Sequence, residues 1–290
     1  GKGKRKTACP RPAKEILADI AVCVNEAVKD AGITMDEVSS IGIGTPGSVN
    51  KRLGIIEYAN NLGFDKVPAR DVLSKYFDQP IYLENDANCA ALGEAVAGAG
   101  GNVENFVAIT LGTGVGSGII VNGKIVNGCN DAAGEMGHSV IVVDGEPCTC
   151  GRRGCWEAYS SATALVRQTK KAMQENKDSL MWEIVGGDLD NVNGRTAFDG
   201  MRKGDIAAKV VVDKYIKYLA AGITNTINVF QPDVLCVGGG IGCEGEPLLE
   251  PIRKIVEKER YSIHCGKQTQ ICSAILGNDA GVIGAALLDE

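Results

Sequence analysis

The sequence predicts an α/β protein with two lobes. Short apolar segments with strand character alternate with longer segments in which apolar residues recur at helical spacing. A chain of 290 residues is long enough for two domains that each bury a core. Its 38 glycines indicate many tight turns and many places where the backbone approaches another group closely.

The overall composition excludes several classes of protein. Hydrophobic residues make up 44% and charged residues 23%, as in ordinary globular proteins. A formal net charge of -6 argues against a nucleic acid or a membrane surface as the main partner. No apolar run approaches the roughly 18 residues that a membrane-spanning helix needs. We therefore expect a cytoplasmic protein.

The first predicted elements are a helix and a strand. Apolar residues at helical spacing predict a helix over residues 12–31, and Gly32 stands where a C-terminal cap belongs. Residues 40–44 alternate as a strand and end at Thr45-Pro46-Gly47. In this turn Gly47 can bring the backbone close to a ligand.

A second strand ends at a polar cluster. Residues 81–83 form a short apolar strand that runs into Glu84-Asn85-Asp86, and the Ala-rich residues 87–99 are helical. Asp86 therefore lies at the carboxyl end of a strand, where open α/β sheets bind ligands. The alternative is that Asp86 is an ordinary N-cap, because Asp and Asn are favoured at that position.

Two further strands are joined by a glycine-rich turn. Residues 106–111 and 115–121 predict strands on either side of Gly112-Thr113-Gly114. Such a turn offers several N–H donors to phosphate oxygens, although it also occurs as a bare hairpin. Asn122-Gly123 then predicts a two-residue hairpin turn.

Residues 134–159 concentrate sulfur, imidazole and carboxylate groups. His138, Cys148, Cys150 and Cys155 form a Cys3His set of the kind that closes a tetrahedral structural zinc site. A disulfide between two of the cysteines, or unpaired thiols, are the alternatives. Because no signal-peptide pattern is present, we expect a reducing compartment and favour zinc. All four ligands come from the protein, so this zinc is expected to be structural.

The remaining elements continue the α/β pattern. Residues 160–177 and 205–230 predict helices, and residues 234–237 a buried strand that leads into Gly238-Gly239-Gly240. Successive glycines after a strand permit backbone contact with a nucleotide, although a simple tight link is the alternative. Residues 270–276 predict a last strand and residues 278–289 a last helix.

The run GEMGH followed by C-T-C-G-x-x-G-C-W-E resembles the signature of the ROK family, which contains bacterial glucokinases, other hexose kinases and sugar-responsive repressors. The agreement in residue types and spacings covers more than twenty positions, and weaker agreement extends over nearly the whole chain. The resemblance implies the two-lobed actin-like ATPase fold. It places the N-terminal lobe at residues 1–111, with residues 279–290 packed back on it, and the C-terminal lobe at residues 112–278.

The resemblance also implies roles for individual residues. Asp86 would be the general base that accepts the proton of the attacking sugar hydroxyl, ATP would be the phosphoryl donor, and Mg2+ would be held mainly by its phosphates. The residues expected to contact the sugar are Gly47, Asn60, Asn85, Asp86, Glu135, His138 and Glu157. Asn60 belongs to the predicted loop Asn60-Asn61, where a simple turn is the alternative. The residues expected to contact the nucleotide are Gly112, Thr113, Gly114, Gly239 and Gly240. His138, Cys148, Cys150 and Cys155 would hold zinc.

One departure from the family pattern concerns the start of the sequence. Family members begin with a strand carrying Asp-x-Gly-Gly-Thr and then a second strand, and this sequence starts after both. Either about two dozen residues of a longer protein are missing, judged from the usual length of two strands and a turn, or this form turns over poorly. We expect an exposed strand edge and weak nucleotide affinity.

The expected activity is transfer of the terminal phosphoryl group of ATP to a hexose, with glucose at O6 as the first choice. A kinase for N-acetylmannosamine or fructose differs only in substrate, and polyphosphate is an alternative donor. A sugar-responsive transcriptional regulator is the alternative from another class, but the acidic net charge does not favour DNA. A homodimer is the default oligomer for such a protein.

Overall fold

Two groups of strands divide the chain into two lobes in the computed structural model, which describes residues 1–288. The strands are β1 (Ile41–Thr45), β2 (Ser48–Asn50), β3 (Ile55–Ala59), β4 (Phe64–Val67), β5 (Ile81–Asn85), β6 (Phe106–Leu111), β7 (Val115–Val121), β8 (Lys124–Ile125), β9 (Val234–Gly238) and β10 (Gln270–Ser273). The helices are α1 (Ala13–Ala31), α2 (Ala69–Leu73), α3 (Asp86–Ala97), α4 (Glu157–Ser160), α5 (Ala162–Glu175), α6 (Met181–Ile184), α7 (Thr196–Arg202), α8 (Ile206–Phe230), α9 (Gly239–Gly242), α10 (Glu246–Glu259) and α11 (Ala280–Ala286). None of the helices within the described residues has both the length and the apolar character needed to cross a lipid bilayer.

The N-terminal lobe contains two small sheets that pack against α1. Strand β1 runs parallel to β5, with Ile41 opposite Ile81, and β2, β3 and β4 form a separate antiparallel sheet. Alternate residues of β1 are buried, as a half-covered pleated strand requires, whereas in β5 the adjacent Leu83 and Glu84 are both buried. In the part of the chain that the structure describes, β1 pairs with β5 alone.

The C-terminal lobe is built on a five-stranded sheet in the order β10-β9-β6-β7-β8. Strand β6 lies at its centre, parallel to β9 and antiparallel to β7. The expected lobe boundary after Leu111 therefore falls within this sheet, because β6 pairs with strands of the second lobe. The turn between β7 and β8 has φ of 52° at Asn122 and 73° at Gly123, as the predicted hairpin requires.

The long helix α8 anchors the cysteine-rich loop. Trp156 is fully buried, and its indole N–H donates to the Tyr218 carbonyl oxygen of α8 at 3.1 Å. A side chain at Gly222 of α8 would collide with the Trp156 ring, so glycine is needed there. Because Glu157 follows Trp156 directly, this contact also fixes the start of α4.

Helices α3 and α11 connect the lobes. A Cβ atom at Gly284 of α11 would collide with the Cys89 carbonyl oxygen of α3, and one at Gly42 of β1 would collide with the Ala285 carbonyl oxygen of α11. These glycines let α11 lie directly against both elements. This helix was predicted over residues 278–289; α11 spans Ala280–Ala286, after a 3-10 turn at Gly277–Asp279, and Asp289 lies outside the described residues.

Two of the differences between predicted and observed element ends have a clear cause in side-chain contacts. Strand β10 ends at Ser273, whereas residues 270–276 were predicted, because the N–H groups of Ile275 and Leu276 donate to the buried Glu94 carboxylate of α3. The helix predicted over residues 160–177 begins at Ala162, because the Ser161 hydroxyl accepts the Ala164 N–H as an N-cap at 3.0 Å.

Candidate active site

A cavity of about 470 Å³ lies between the two lobes. Its lining includes most of the residues that the sequence analysis singled out, namely Asn85, Asp86, Gly112, Gly114, Glu135, His138, Glu157 and Gly239. A cavity of about 270 Å³ shares Asn85, Glu135 and His138 with it, and one of about 370 Å³ shares Thr110 and Gly239. The three cavities together form one cleft.

Asp86 is available for chemistry because its neighbour performs the capping role. The Asn85 side-chain oxygen accepts the N–H groups of Ala87 at 2.8 Å and Asn88 at 3.3 Å, so Asn85 is the N-cap of α3. Asp86 is the first residue of the helix, and its exposed carboxylate lines the cavity. Asp86 is therefore not the N-cap of α3, which was the alternative role predicted from the sequence.

Gly47, in the turn after β1, contacts Asn85 at this junction. The Asn85 amide donates to the Gly47 carbonyl oxygen at 3.0 Å. Gly47 has φ of 85°, and a Cβ atom there would collide with the Tyr58 carbonyl oxygen. Glycine is therefore required for conformation and for space, and Gly47 lines the cavity of about 270 Å³.

The paired asparagines that follow β3 have different surroundings. The Asn60 side-chain oxygen accepts a hydrogen bond from the Tyr58 hydroxyl at 3.1 Å. Asn61, not Asn60, lines the main cavity. The sequence analysis selected Asn60, and the structure makes the neighbouring Asn61 the better candidate for ligand contact.

Glu135 projects from a loop that Ser117 holds in place. The Ser117 hydroxyl donates to the Gly134 carbonyl oxygen and accepts the Met136 N–H, the latter at 3.1 Å. These two hydrogen bonds fix the backbone on both sides of Glu135. The Glu135 side chain is exposed and lines two of the cavities.

Both carboxylate oxygens of Glu157 accept hydrogen bonds. One oxygen accepts the Val115 N–H at 3.0 Å, and the other accepts the Thr149 hydroxyl at 3.1 Å. A side chain at Gly114 would collide with this carboxylate. The cysteine-rich loop and the turn before β7 thus position Glu157 together.

The four predicted metal ligands converge. The ligand atoms of His138, Cys148, Cys150 and Cys155 all lie within 4.8 Å of one another. The Cys150 and Cys155 sulfurs are 3.6 Å apart, and the Cys148 sulfur is 3.6 Å from His138 Nδ1. A tetrahedral zinc ion with Zn–S bonds of about 2.3 Å needs sulfur separations of about 3.8 Å. The donor set therefore fits a four-coordinate metal ion, and all three cysteines are free thiols.

The pKa values of two thiols in this cluster are shifted in opposite directions. Burial raises the pKa of Cys155 to about 12, whereas the nearby Arg152 backbone N–H lowers the pKa of Cys150. A metal ion bound by all three sulfurs would have to displace the Cys155 proton.

The turn between β6 and β7 forms the floor of the cleft. The Gly112 N–H donates to the Gly114 carbonyl oxygen at 3.0 Å, and the Gly112 carbonyl oxygen accepts the Ala162 N–H of α5 at 2.8 Å. The Thr113 carbonyl oxygen accepts the Thr163 hydroxyl at 2.8 Å. Thr113 itself is exposed and is not part of the cavity lining, unlike the glycines on either side of it.

The glycine turn after β9 borders the third cavity. Gly239 has φ of 81°, and a Cβ atom there would lie 2.5 Å from the Leu111 carbonyl oxygen. Gly240 has open space at the same position. Both line the cavity of about 370 Å³, whose other lining residues are largely small or apolar. This cavity suits a flat, weakly polar group next to the Gly112 turn.

Several residues that shape the site were not selected from the sequence. Ser117 and Glu94 act through hydrogen bonds to segments 19 and 182 residues away in the chain. Thr149 acts through a hydrogen bond to Glu157, 8 residues later. Their residue types are common, and only the folded contacts distinguish them from surface serine, threonine and glutamate. Asn61 could have been selected, because it stands beside Asn60 in the same predicted loop.

Comparison with known proteins gives a consistent result. The model of the ROK family matches residues 1–290. A glucokinase of Halalkalibacterium halodurans is 36% identical over 276 residues, covering 94% of this chain and 82% of that protein. A glucokinase of Thermotoga maritima is 34% identical over 283 residues, covering 97% and 87% respectively.

A solved structure gives the same assignment. The crystal structure of a ROK family glucokinase from Streptomyces griseus in complex with glucose and AMPPNP superposes with a TM-score of 0.81 at 34% identity. The match covers 99% of this chain and 91% of that one. The fold is thus that of the two-lobed ROK kinases, as the sequence predicted. On the agreement of sequence, fold and family model, this chain belongs to the ROK family.

Proposed function

We propose that this protein is an ATP-dependent hexose kinase and that glucose is its sugar substrate. The observation that carries the proposal is the convergence, in one cleft, of the exposed Asp86 carboxylate, Glu135, Glu157 and a glycine-lined floor. The similarity to glucokinases over most of the chain supports the same activity. The polar half of the cleft suits a sugar, and the glycine-rich half suits a nucleotide.

The chemical step assigns one proton transfer to the protein. Asp86 accepts the proton of the attacking sugar hydroxyl while that oxygen forms a bond to the terminal phosphorus of ATP. The bond from this phosphorus to the bridging oxygen breaks, and ADP leaves with the electron pair. Asn85 fixes the helix start from which Asp86 projects, so the base is placed before the substrate arrives.

Sugar recognition falls to the carboxylates and the imidazole. Carboxylate oxygens accept hydrogen bonds from pairs of hydroxyls, and Glu135 and Glu157 are both held in place by their loops. A metal-bound His138 would present its second ring nitrogen as an N–H donor in a fixed direction. Preorganised partners of this kind reduce the entropy lost when the sugar binds.

The nucleotide is contacted mainly by backbone. In the turn between β6 and β7 the Gly112 N–H is already bonded to the Gly114 carbonyl oxygen, so the N–H groups of Thr113 and Gly114 are the donors for the phosphates. Gly239 and Gly240 border the adenosine cavity. Mg2+ bound to the phosphates would neutralise the charge that develops during transfer.

We further propose that the Cys3His site holds zinc with a structural role. His138, Cys148, Cys150 and Cys155 would supply all four ligands, which leaves no position for a reactive water. Zinc would brace the loop that aims His138 and Glu157 at the sugar. Free thiols in this arrangement suit a cytoplasmic protein.

An assay of sugar-dependent ADP release tests the proposal. The purified protein is offered ATP with glucose, mannose, fructose or N-acetylmannosamine, and the account predicts the highest kcat/KM with glucose. Polyphosphate is compared as donor in the same assay. Absence of sugar-dependent ADP release with every hexose, together with salt-dependent binding to duplex DNA, would favour a transcriptional regulator instead.

A further inference from the structure

A buried carboxylate lies next to the Asp86 junction, the point where β5 ends and α3 begins. Glu84 is 0% exposed and stands two residues before Asp86 on β5. One of its oxygens accepts the Asn85 N–H at 2.8 Å and the Asn88 side-chain amide at 3.0 Å. This oxygen therefore ties together the end of the strand and the first turn of α3.

The other Glu84 oxygen forms an ion pair with the Lys51 ammonium group. The Lys51 side chain is 29% exposed, whereas its partner is fully buried. A buried carboxylate without a cation is strongly unfavourable, and its natural response is to take up a proton or to move toward solvent. Movement would break the two hydrogen bonds that hold the junction, and a protonated carboxyl group would accept them more weakly than a carboxylate or an amide.

The backbone of Lys51 is itself fixed. The Arg70 guanidinium donates to the carbonyl oxygens of Lys51 at 2.7 Å, Arg52 at 3.1 Å and Ile81 at 3.0 Å. One side chain thus fastens the turn after β2 to the beginning of β5. Lys51 is held in position for Glu84 and does not reach it from a freely moving loop.

Lys51 also contacts the loop that carries Glu135. Its backbone N–H donates to the Asp131 carboxylate at 3.2 Å. Partial burial lowers the pKa of Lys51, and the negative charge of Asp131 opposes that shift. Lys51 is therefore placed between β5, the strand that leads directly to Asp86, and the loop that carries Glu135.

We propose that Lys51 is a positioning residue for phosphoryl transfer, acting through Glu84 to hold the Asp86 junction in its reactive geometry. This inference rests on the proposed kinase function. Lys51 is not among the described residues that line the main cavity, so its effect is expected in the chemical step, not in sugar binding.

The test compares Lys51→Met with the wild-type protein. Misplacement of a reacting group by about 1 Å costs up to about a hundredfold, so kcat is expected to fall by about ten- to a hundredfold. The KM for glucose should change by less than about threefold, because the backbone contact with Asp131 remains and the sugar ligands are untouched. Lys75→Met, at an exposed lysine of the same lobe, is the matched control and should retain wild-type kcat.

The double variant Lys51→Met/Glu84→Gln distinguishes misplacement of Asp86 from a general loss of structure. The amide introduced by Glu84→Gln keeps an oxygen that accepts both hydrogen bonds but carries no charge, so the double variant should regain most of the lost kcat. A kcat of Lys51→Met equal to that of the wild type would overturn the inference, and so would a double variant no better than the single one. If Lys51→Met does not fold, as judged by circular dichroism, Lys51→Gln takes its place, because it removes the charge but keeps a polar end; wild-type kcat there would also overturn the inference.

The activity of the wild-type protein in the same experiment tests the proposed kinase function separately. Wild-type protein without sugar-dependent ADP release would overturn the kinase proposal and this inference with it. Active wild-type protein with an unaffected Lys51→Met variant would overturn this inference alone.

Discussion

The two halves of the cleft are built in different ways. On the sugar side, side chains provide the contacts, and each is fixed by a partner: Asn85 caps the helix, Ser117 holds the Glu135 loop, and Val115 and Thr149 hold Glu157. On the nucleotide side, the candidate contacts are backbone groups of glycine turns. Their position depends on the absence of side chains at Gly239 and Gly114.

Because of this difference, the two halves of the cleft should be sensitive to different kinds of substitution. The sugar side depends on hydrogen bonds and a metal cluster, so removal of a chemical group should change catalysis or sugar affinity without reshaping the chain. The nucleotide side depends on close backbone approach, so the addition of a methyl group should be enough to weaken it. The following predictions test this contrast.

The largest effect is expected for Asp86→Asn. The substitution keeps the size of the side chain but removes the proton acceptor, and general-base catalysis contributes about 10² to 10⁴ in rate. We expect kcat to fall by that factor, while the calorimetric Kd for glucose stays within about threefold of wild type, since an amide can still hydrogen-bond a hydroxyl. Turnover at the wild-type rate would show that Asp86 is not the base.

Loss of the metal site is expected to be the next largest effect. Cys150→Ser removes one of four ligands, and losses of ten- to a hundredfold are typical even when only a supporting group of a metal site is removed. We expect bound zinc, measured by elemental analysis, to fall well below one per chain and kcat/KM for glucose to drop by about tenfold or more. Cys265→Ser, at an exposed cysteine outside the cluster, is the control and should bind zinc normally.

A smaller effect is expected on the nucleotide side. Gly239→Ala places a methyl group 2.5 Å from the Leu111 carbonyl oxygen at a backbone φ of 81°, a strain of about 1 to 3 kcal/mol. The KM for ATP should rise by about tenfold, with little change in the KM for glucose. Gly240→Ala meets open space and is the matched control. Equal effects of the two substitutions would argue against a close backbone contact at Gly239.

The smallest effect distinguishes the paired asparagines. Asn61→Ala removes one candidate hydrogen bond to the sugar, worth about 1 kcal/mol, and should raise the KM for glucose by about fivefold. Asn60→Ala loses only its contact with Tyr58 and should change that KM by less than about twofold. Steady-state kinetics with varied glucose would reveal the reverse order if Asn60 were the true ligand.

The sequence predicts those features that depend on local pattern. Strands β6 and β7 have the predicted bounds, Gly32 is a left-handed C-cap with φ of 70°, and the four metal ligands converge as their spacing predicted. These features follow from residue periodicity, turn chemistry and ligand type, all of which can be seen in a short segment.

Features that depend on distant contacts were not predicted. The end of β10 is set by Glu94, and the role of Asn85 as the cap is clear only once its side chain is seen at the start of α3. Likewise, nothing in the sequence around Lys51 indicates that it neutralises the distant carboxylate of Glu84. Such pairs arise from the packing of separate elements, which local pattern does not encode.

The central claim is that Asp86 faces the sugar hydroxyl across a cleft whose opposite wall is fixed by Glu135, Glu157 and the metal cluster. A crystal structure of the protein with glucose and a non-hydrolysable ATP analogue tests it most directly. The account predicts an Asp86 carboxylate oxygen about 2.6 to 3.2 Å from the hydroxyl that points toward the terminal phosphate. Glucose bound with that hydroxyl turned away from Asp86, or the four metal ligands dispersed, would contradict the account.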